Sequence, residues 1–263
     1  MTLGGTLFIY NGISQDYCWK EAIACLCDLC DIVLVLDAGS TDGTANALKR
    51  EIEHDNLLKV FCDNAEWESQ KGREKLNYFT NMALDELLDD SPHIDYYINL
   101  QADECLHEDS FPFIRQAMET GAEGFLTRRH NLWRDPYHQL NVVQSRKPCS
   151  TEIIRLAKPT HRSVGDAESL ECAPYNLDFL DKIEIFHLGF VRDPYIMKKK
   201  AIAMQEEVFQ MGQHDKKLDL SDRFEWDHYF NDSDLIPIRK PLPKYVTKWA
   251  LQRYPNLTPP TFK

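Results

Sequence analysis

The chain has 263 residues and 43% apolar content, enough for one large folded domain or a domain with an appended tail, so disorder is not the expectation. A formal net charge of -12 argues against a protein that holds nucleic acid mainly by neutralising phosphates, which needs clustered Lys and Arg. The apolar run Ile32 to Leu36 falls far short of the roughly 20 residues that span a bilayer, and the N-terminus lacks a charged n-region with a long apolar stretch, so an unexported, soluble, cytoplasmic protein is expected.

In chain order, Thr6 to Tyr10 reads as a first short strand, followed by a polar turn around Asn11 to Asp16. From Trp19 the apolar positions Ala22, Ile23, Leu26, Leu29 and Cys30 recur at helical spacing and feed into a strand over Ile32 to Leu36. A Ser/Thr/Asp-rich turn then predicts a helix over Gly43 to His54 and a strand over Leu58 to Cys62. Helical periodicity follows over Arg73 to Leu88, a buried strand over Tyr96 to Leu100, a short helix over Phe111 to Thr120 and a strand over Gly124 to Arg128. Alternation of this kind predicts an α/β fold with a mainly parallel sheet and helices on both faces.

Regularity falls off beyond this point. Asn131 to Asn141 reads as loop or antiparallel hairpin, Ser150 to Ala157 and Lys182 to Leu188 as strands, Tyr195 to Gly212 as a helix, and Pro237 to Lys263 as a Pro-interrupted tail with one or two helical turns near Trp249. Eight cysteines scattered along the chain suit reduced thiols. Cys27 and Cys30 are spaced as C-x-x-C, a zinc or redox spacing, but no second pair follows at zinc-finger spacing, so burial as small hydrophobes in a helix is the expectation.

The chemistry concentrates after strands. Asp37-Ala38-Gly39-Ser40-Thr41-Asp42-Gly43-Thr44 leaves a buried strand as an acidic, Gly-bearing turn, where an Asp can accept hydrogen bonds from a ribose or base edge. It has neither the Gly-Lys-Ser/Thr ending of a P-loop nor a G-x-G-x-x-G. A second acidic pair, Asp103-Glu104, also follows a strand, so the topology would bring both motifs to one sheet edge, where carboxylates bind Mg²⁺ or Mn²⁺ together with substrate phosphates. The plainer alternative makes Asp37 a helix cap and Asp103-Glu104 solvated loop residues. His187 closes a strand and Arg192 follows five residues on; an imidazole completes a metal site, and a guanidinium suits a diphosphate leaving group.

These motifs together, with Gln101-Ala102-Asp103-Glu104, His187-Leu188-Gly189-Phe190-Val191-Arg192-Asp193-Pro194, Met197 and Lys200, resemble those of family 2 type glycosyltransferases of the GT-A fold, over residues from about 6 to 210. The resemblance implies a Rossmann-like domain over 1–230, with a nucleotide-sugar donor half over 1–105 and an acceptor half over 106–230, and a C-terminal tail over 231–263. It implies that Asp37, Gly39, Ser40 and Asp42 contact the nucleotide, of the UDP kind, and that Tyr10 and Asn11, with Glu21 nearby, line the base and ribose pocket. Arg73 and Asn77 would lie beside the donor, Gln101, Ala102 and Arg192 would complete its contacts, and Asp103 and His187 would hold Mn²⁺ or Mg²⁺. One departure stands out: the family's D-x-D ordinarily begins with Asp, and this chain has Gln101 there.

By the same resemblance Asp166, or else Glu168, would be the base of an inverting transfer to a hydroxyl of a glycan, lipid-linked sugar or protein. A hydroxymethylated base in DNA is an alternative acceptor. A nucleotidyltransferase and a non-catalytic nucleotide-sugar binding module are alternative functions. Trp133, Tyr137 and His138 near Arg128 and Arg129 suit either a stacking platform for the acceptor or ordinary packing. Lys198 to Lys200 with Lys216 and Lys217 are expected on a solvated helix face, because Glu206 and Glu207 intervene.

Overall fold

The computed structural model describes residues 1–51, 56–61, 67, 70, 72, 74–141, 150–204, 206, 223–226 and 230–262. The N-terminal half alternates as expected: β1 (Leu3–Ile9), α1 (Trp19–Leu29), β2 (Ile32–Asp37), α2 (Thr44–Glu51), β3 (Leu57–Phe61), α3 (Glu74–Asp90) and β4 (Tyr96–Asn99). It continues through β5 (Glu104–Leu106), α4 (Phe111–Glu119), β6 (Gly124–Trp133), β7 (His138–Leu140), β8 (Glu152–Ala157), β9 (Arg162–Ser163), β10 (Leu170–Glu171), β11 (Glu184–Phe190), α5 (Pro194–Ala203), β12 (Leu235–Pro237) and α6 (Lys244–Arg253). The fold is α/β, built on one large central sheet.

Strand order β3-β2-β1-β4 is parallel throughout, and β8 joins β4 antiparallel. Beyond it β6 pairs antiparallel with β8 and β7 and parallel with β11, which in turn holds β5 antiparallel. Alternate residues of β1 and β2 serve opposite faces. Leu3, Leu7, Val33 and Val35 pack with Ile23 and Leu26 of α1, whereas Leu34 and Leu36 pack with Phe79, Ala83, Leu84 and Leu87 of α3, which gives helices on both faces.

Some boundaries differ from expectation for identifiable reasons. β1 begins at Leu3 and so includes Gly4 and Gly5, residues of low strand propensity. They fit because the helices press close: a Cβ on Gly4 would lie 2.8 Å from Leu87 Cδ2, and one on Gly5 would lie 3.0 Å from Cys30 Sγ. β6 runs to Trp133 because β11 pairs along it, from Glu184 opposite Arg128 to Phe190 opposite Trp133. The expected hairpin over 131–141 is present, with Leu132 opposite Gln139. The helices expected to reach His54 and Gly212 are described to Glu51 and Ala203; residues 52–55, 205 and 207–222, which include Glu207, Lys216 and Lys217, lie outside the described residues, as does Arg73.

The tail expected to hold one or two helical turns near Trp249 carries a ten-residue helix there. α6 buries Val246, Trp249 and Ala250 in the same core as α1, and β12 extends the sheet through β7. Lys244 Nζ and Tyr245 Oη both donate to Asp28 Oδ2, at 2.9 and 2.6 Å, tying α6 to α1. Cys30 is buried as expected, Cys27 is half-buried, and among the described residues no group of three or more His, Cys, Asp or Glu gathers to hold a metal. Among those residues no helix is long and apolar enough to cross a membrane.

Candidate active site

Parallel pairing of β1, β2 and β4 sets their carboxyl ends on one edge, with Ile9 opposite Asp37 and Thr6 opposite Asn99. The loops that leave these ends are laced together. Asn11 N donates to Ser40 Oγ at 2.8 Å, Asn11 Oδ1 accepts from Thr41 N at 2.8 Å, and Asp42 accepts from Ser14 N and from Thr44 N and Oγ1. Asn11, Ser40 and Asp42 therefore spend their side chains on shaping the edge. Gly39 and Gly43 have φ of +86° and +94°, left-handed backbone that the turn into α2 requires and that glycine adopts at least cost.

Asp37 is buried at the mouth of this edge, 2% exposed. Ser40 N and Oγ both donate to its Oδ1, at 3.2 and 2.5 Å, and the Oδ2 atom accepts no hydrogen bond among the described residues. Burial raises its pKa, and the hydrogen bonds from Ser40 oppose that rise. Tyr10 stacks on Trp67 with ring centroids 4.0 Å apart, and Lys75 lies over the Trp67 ring at 4.4 Å. Asp37 is thus a buried acid with one oxygen that accepts no hydrogen bond among the described residues.

The second acid, Asp103, lies in the turn between β4 and β5 and gathers cations from a distant stretch of chain. Lys200 Nζ donates to its Oδ2 at 3.0 Å and Arg192 reaches the same oxygen at 3.4 Å. α5 delivers Lys200 because Asp193 caps it, accepting from Tyr195 N and Ile196 N, and Pro194 supplies the preset φ of a first helical turn. Arg192 also donates to Gln15 O at 2.6 Å and lies over the Tyr17 ring, so it bridges the N-terminal loop to Asp103. Burial alone would raise the Asp103 carboxyl, but Lys200 outweighs it with Arg192 and holds the group well below the usual range. Burial and the neighbouring Arg192 push the Lys200 ammonium down to about 8. The expectation of a solvated face fails for Lys198 and Lys200, which point inward; Lys198 is 6% exposed.

Register places the third element. β11 sets His187 opposite Glu104 of β5 and Asn131 of β6. Asn131 Nδ2 donates to Ser150 O at 3.0 Å, which turns Asn131 Oδ1 toward His187 Nδ1 at 3.1 Å. That oxygen only accepts, so the ring proton belongs on Nδ1 and Nε2 keeps its lone pair. Burial, reinforced by Arg129, holds the imidazole well below its ordinary pKa and therefore neutral. Nε2 faces Asp103 Oδ1 at 3.7 Å.

A cation between the two could join them. Gly189 keeps the space: a Cβ there would lie 2.3 Å from His187 Nε2 and 3.1 Å from Asp103 Oδ2. A carboxylate and an imidazole at this separation could hold a divalent ion, the imidazole suiting Mn²⁺ better than Mg²⁺, which prefers oxygen. Asp103 and His187 are the residues that would hold Mn²⁺ or, less well, Mg²⁺.

Behind Asp103, Glu104 is fully buried and tied to two arginines. Arg155 donates to its Oε1 at 2.8 Å, Arg129 Nε lies 3.2 Å from the same oxygen, and Gln101 N donates to Oε2 at 3.0 Å. The same arginines grip the acid-bearing segment: Arg155 donates to Ala167 O at 3.1 Å and Arg129 to Glu168 Oε1 at 3.1 Å. Gln101 Nε2 also donates to Ala167 O, at 3.3 Å. An aspartate in place of Gln101 would set an anionic oxygen against that carbonyl, which gives a reason for the amide here.

The 165–168 segment and the 101–104 turn are thus joined. Glu168 is paired with Arg129, whereas Asp166 makes no hydrogen bond or ion pair among the described residues. Ala102 is buried and Gln101 half-buried beside them. Trp133 and Tyr137 are 2% and 6% exposed, and Trp133 packs on Phe190, Trp226 and Phe230, so these two rings are packing rather than an acceptor platform. His138 binds Asp135, and Arg128 binds Glu152 and Asp181. Asn131, Gly189, Arg129 and Arg155 carry no local signal of their roles, because the partners that define them lie far away in sequence.

No family model and no curated protein matches the chain. Among solved structures the chain is similar to S. aureus TarS, with a TM-score of 0.47 at 14% identity over 79% of this chain and 40% of that one. It is also similar to S. aureus TarS 1-349 in complex with UDP-GlcNAc (TM-score 0.45, 13% identity, 79% of this chain and 67% of that one). A third similarity is to the galactosyltransferase LgtC in complex with donor and acceptor sugar analogs (TM-score 0.32, 15% identity, 48% of this chain and 46% of that one). The chain spans about two-fifths of the TarS chain, and likeness at this level carries no argument about activity.

Proposed function

We propose that the chain is a cytoplasmic, inverting glycosyltransferase that moves a sugar from a nucleotide diphosphate sugar, of the UDP kind, to a hydroxyl of a glycan, lipid-linked sugar or protein, assisted by Mn²⁺ or Mg²⁺. The observation that carries this reading is the Asp103–His187 pair, 3.7 Å apart across the gap that Gly189 leaves, on the sheet edge where Asp37 ends β2. Asp37 Oδ2 accepts from the ribose or base, and the ring of Tyr10 flanks it. Arg192 and Lys200 bring two positive charges to the diphosphate end of the same site.

Asp103 and His187 would hold the divalent ion, which when bound would supply positive charge to the departing diphosphate. The acceptor oxygen attacks the anomeric carbon as Asp166 takes its proton; the bond from that carbon to the diphosphate oxygen breaks, and the diphosphate leaves with the electron pair. Asp166 serves this role better than Glu168 because Arg129 already occupies Glu168. The transition state has oxocarbenium character, so the positive end of the site must lie on the leaving-group side, where Arg192 and Lys200 are.

A panel of nucleotide sugars incubated with Mn²⁺, with Mg²⁺ or with chelator, followed by assay of the released product, tests this. Slow metal-dependent release of a nucleoside diphosphate is the expected result. Release of pyrophosphate from a nucleoside triphosphate and a sugar phosphate would make the chain a nucleotidyltransferase, and donor binding without any release would make it a binding module.

A further inference from the structure

Two fixed cations share the single carboxylate of Asp103. Lys200 Nζ lies 3.0 Å from its Oδ2 and Arg192 reaches the same oxygen at 3.4 Å, while Oδ1 faces His187. Neither cation is free to swing into water. The Arg192 side chain is fully buried, donates to Gln15 O at 2.6 Å and lies over the Tyr17 ring. The Lys200 side chain is only 13% exposed, donates also to Gly189 O at 3.1 Å, and lies 5.1 Å and 6.0 Å from the Tyr17 and Phe190 ring centres.

The charges around this carboxylate are therefore one positive in excess before any divalent ion is added. Neighbouring acids do not make up the difference: Glu104 is taken by Arg129 and Arg155, and Glu168 by Arg129. An ion at Oδ1 would meet two cations on the other oxygen of the same group, and burial strengthens the repulsion by lowering the effective dielectric. A diphosphate reverses the balance, because it brings several negative charges and acceptor oxygens for the ion, the ammonium and the guanidinium alike. Of the two cations Lys200 is the closer to Asp103, and Arg192 has a second duty in bracing the N-terminal loop through Gln15 O.

We infer that Lys200 makes the divalent ion and the diphosphate bind as a pair: its ammonium opposes the ion that arrives alone and turns to the diphosphate's charge when both are bound. The inference rests on the donor-site reading of this edge and deepens it by naming what regulates metal binding there.

Lys200→Met and Lys200→Gln remove the charge and leave Arg192 as the counter-ion of Asp103. The glutamine keeps a neutral donor, which separates the loss of charge from a loss of packing. Paramagnetic resonance titration with Mn²⁺ alone, and calorimetric titration with UDP and with pyrophosphate, in chelator and in excess Mn²⁺, read wild type and both variants. Both variants should bind Mn²⁺ alone about tenfold tighter than wild type, and both diphosphates in chelator about tenfold more weakly. Damage to packing would weaken both, so only a charge effect gives opposite signs. In wild type Mn²⁺ should tighten diphosphate binding by roughly tenfold or more, a factor that should shrink in both variants. Mn²⁺ affinity unchanged or weakened in both variants, diphosphate affinity in chelator unchanged in both, or no Mn²⁺ binding by any of these proteins would each overturn the inference. Lys200-dependent coupling of Mn²⁺ to pyrophosphate in a protein that binds no UDP would uphold it and overturn the glycosyl-transfer reading. Coupling of Mn²⁺ to UDP at wild-type strength in both variants would do the reverse.

Discussion

His187 Nε2 faces Asp103 Oδ1 at 3.7 Å, across a gap that a divalent cation could bridge. Asn131 enforces it by taking the ring proton on the other side, and Gly189 enforces it by leaving the room. Residues in that outer position typically change metal affinity by about 10- to 100-fold.

Asn131→Ala should therefore weaken Mn²⁺ binding by about that factor with little change in secondary structure. Gly189→Ala should weaken it at least as much, because the added methyl occupies the space beside Nε2. Mn²⁺ titration followed by electron paramagnetic resonance, with circular dichroism as the control, reads both variants; wild-type affinity in Gly189→Ala would remove the ion from this gap.

The acids of the 165–168 segment should separate by function. Asp166→Asn should retain donor binding and lose transfer, by a factor of about 10² to 10⁴ in kcat, the usual contribution of a general base. Glu168→Gln should cost much less in kcat, since its carboxylate is held by Arg129, and should show instead a small loss of stability. Equal kcat losses in the two variants would displace the base from Asp166.

Asp103 has a structural duty that the sequence did not suggest. It is the counter-ion for the buried Arg192 and Lys200, so Asp103→Ala leaves two cations unopposed and should destabilise the fold by about 3–5 kcal/mol. Urea unfolding reads the difference. His187→Ala, which strands no charge, should cost less stability than Asp103→Ala and is the cleaner probe of the metal.

What the sequence disclosed follows from the range of the forces involved. Ile32 to Asp37 and its turn into α2 were legible because an apolar run and Gly/Asp turn chemistry are local signals. Lys200 was misread because its neighbours in sequence are charged, whereas the groups that bury it, Asp103 Oδ2 and Gly189 O, come from two other elements. The same holds for Glu104 with Arg129 and Arg155, and for α6, whose Val246, Trp249 and Ala250 gain meaning only against α1. Gln101 departs from the expected acid, and the departure becomes intelligible only when Ala167 O is seen beside it.

Acid sensitivity should pass through Glu184. Burial would raise its carboxyl, but the hydrogen bonds from His130 and Lys240 outweigh it and hold the pKa at about 2, against 4.5 unperturbed. A depressed carboxylate stabilises the fold fully above the unfolded value and loses that contribution as pH falls from about 4.5 through about 2. For a partly exposed group the screened contribution is roughly 1–2 kcal/mol. Urea unfolding at pH 7 and pH 3 should therefore show a shallower acid loss in Glu184→Gln than in wild type, and identical slopes would contradict the assignment.

The most direct measurement is thermal unfolding of wild type and His187→Ala with UDP and UDP-sugars, in Mn²⁺ and in chelator. The proposed site predicts that a nucleoside diphosphate raises Tm in wild type, that Mn²⁺ enlarges the increase, and that His187→Ala keeps a nucleotide effect while losing the Mn²⁺ increment. If no nucleotide or nucleotide sugar raises Tm under either condition, the edge formed by Asp37, Asp103 and His187 is not a donor site.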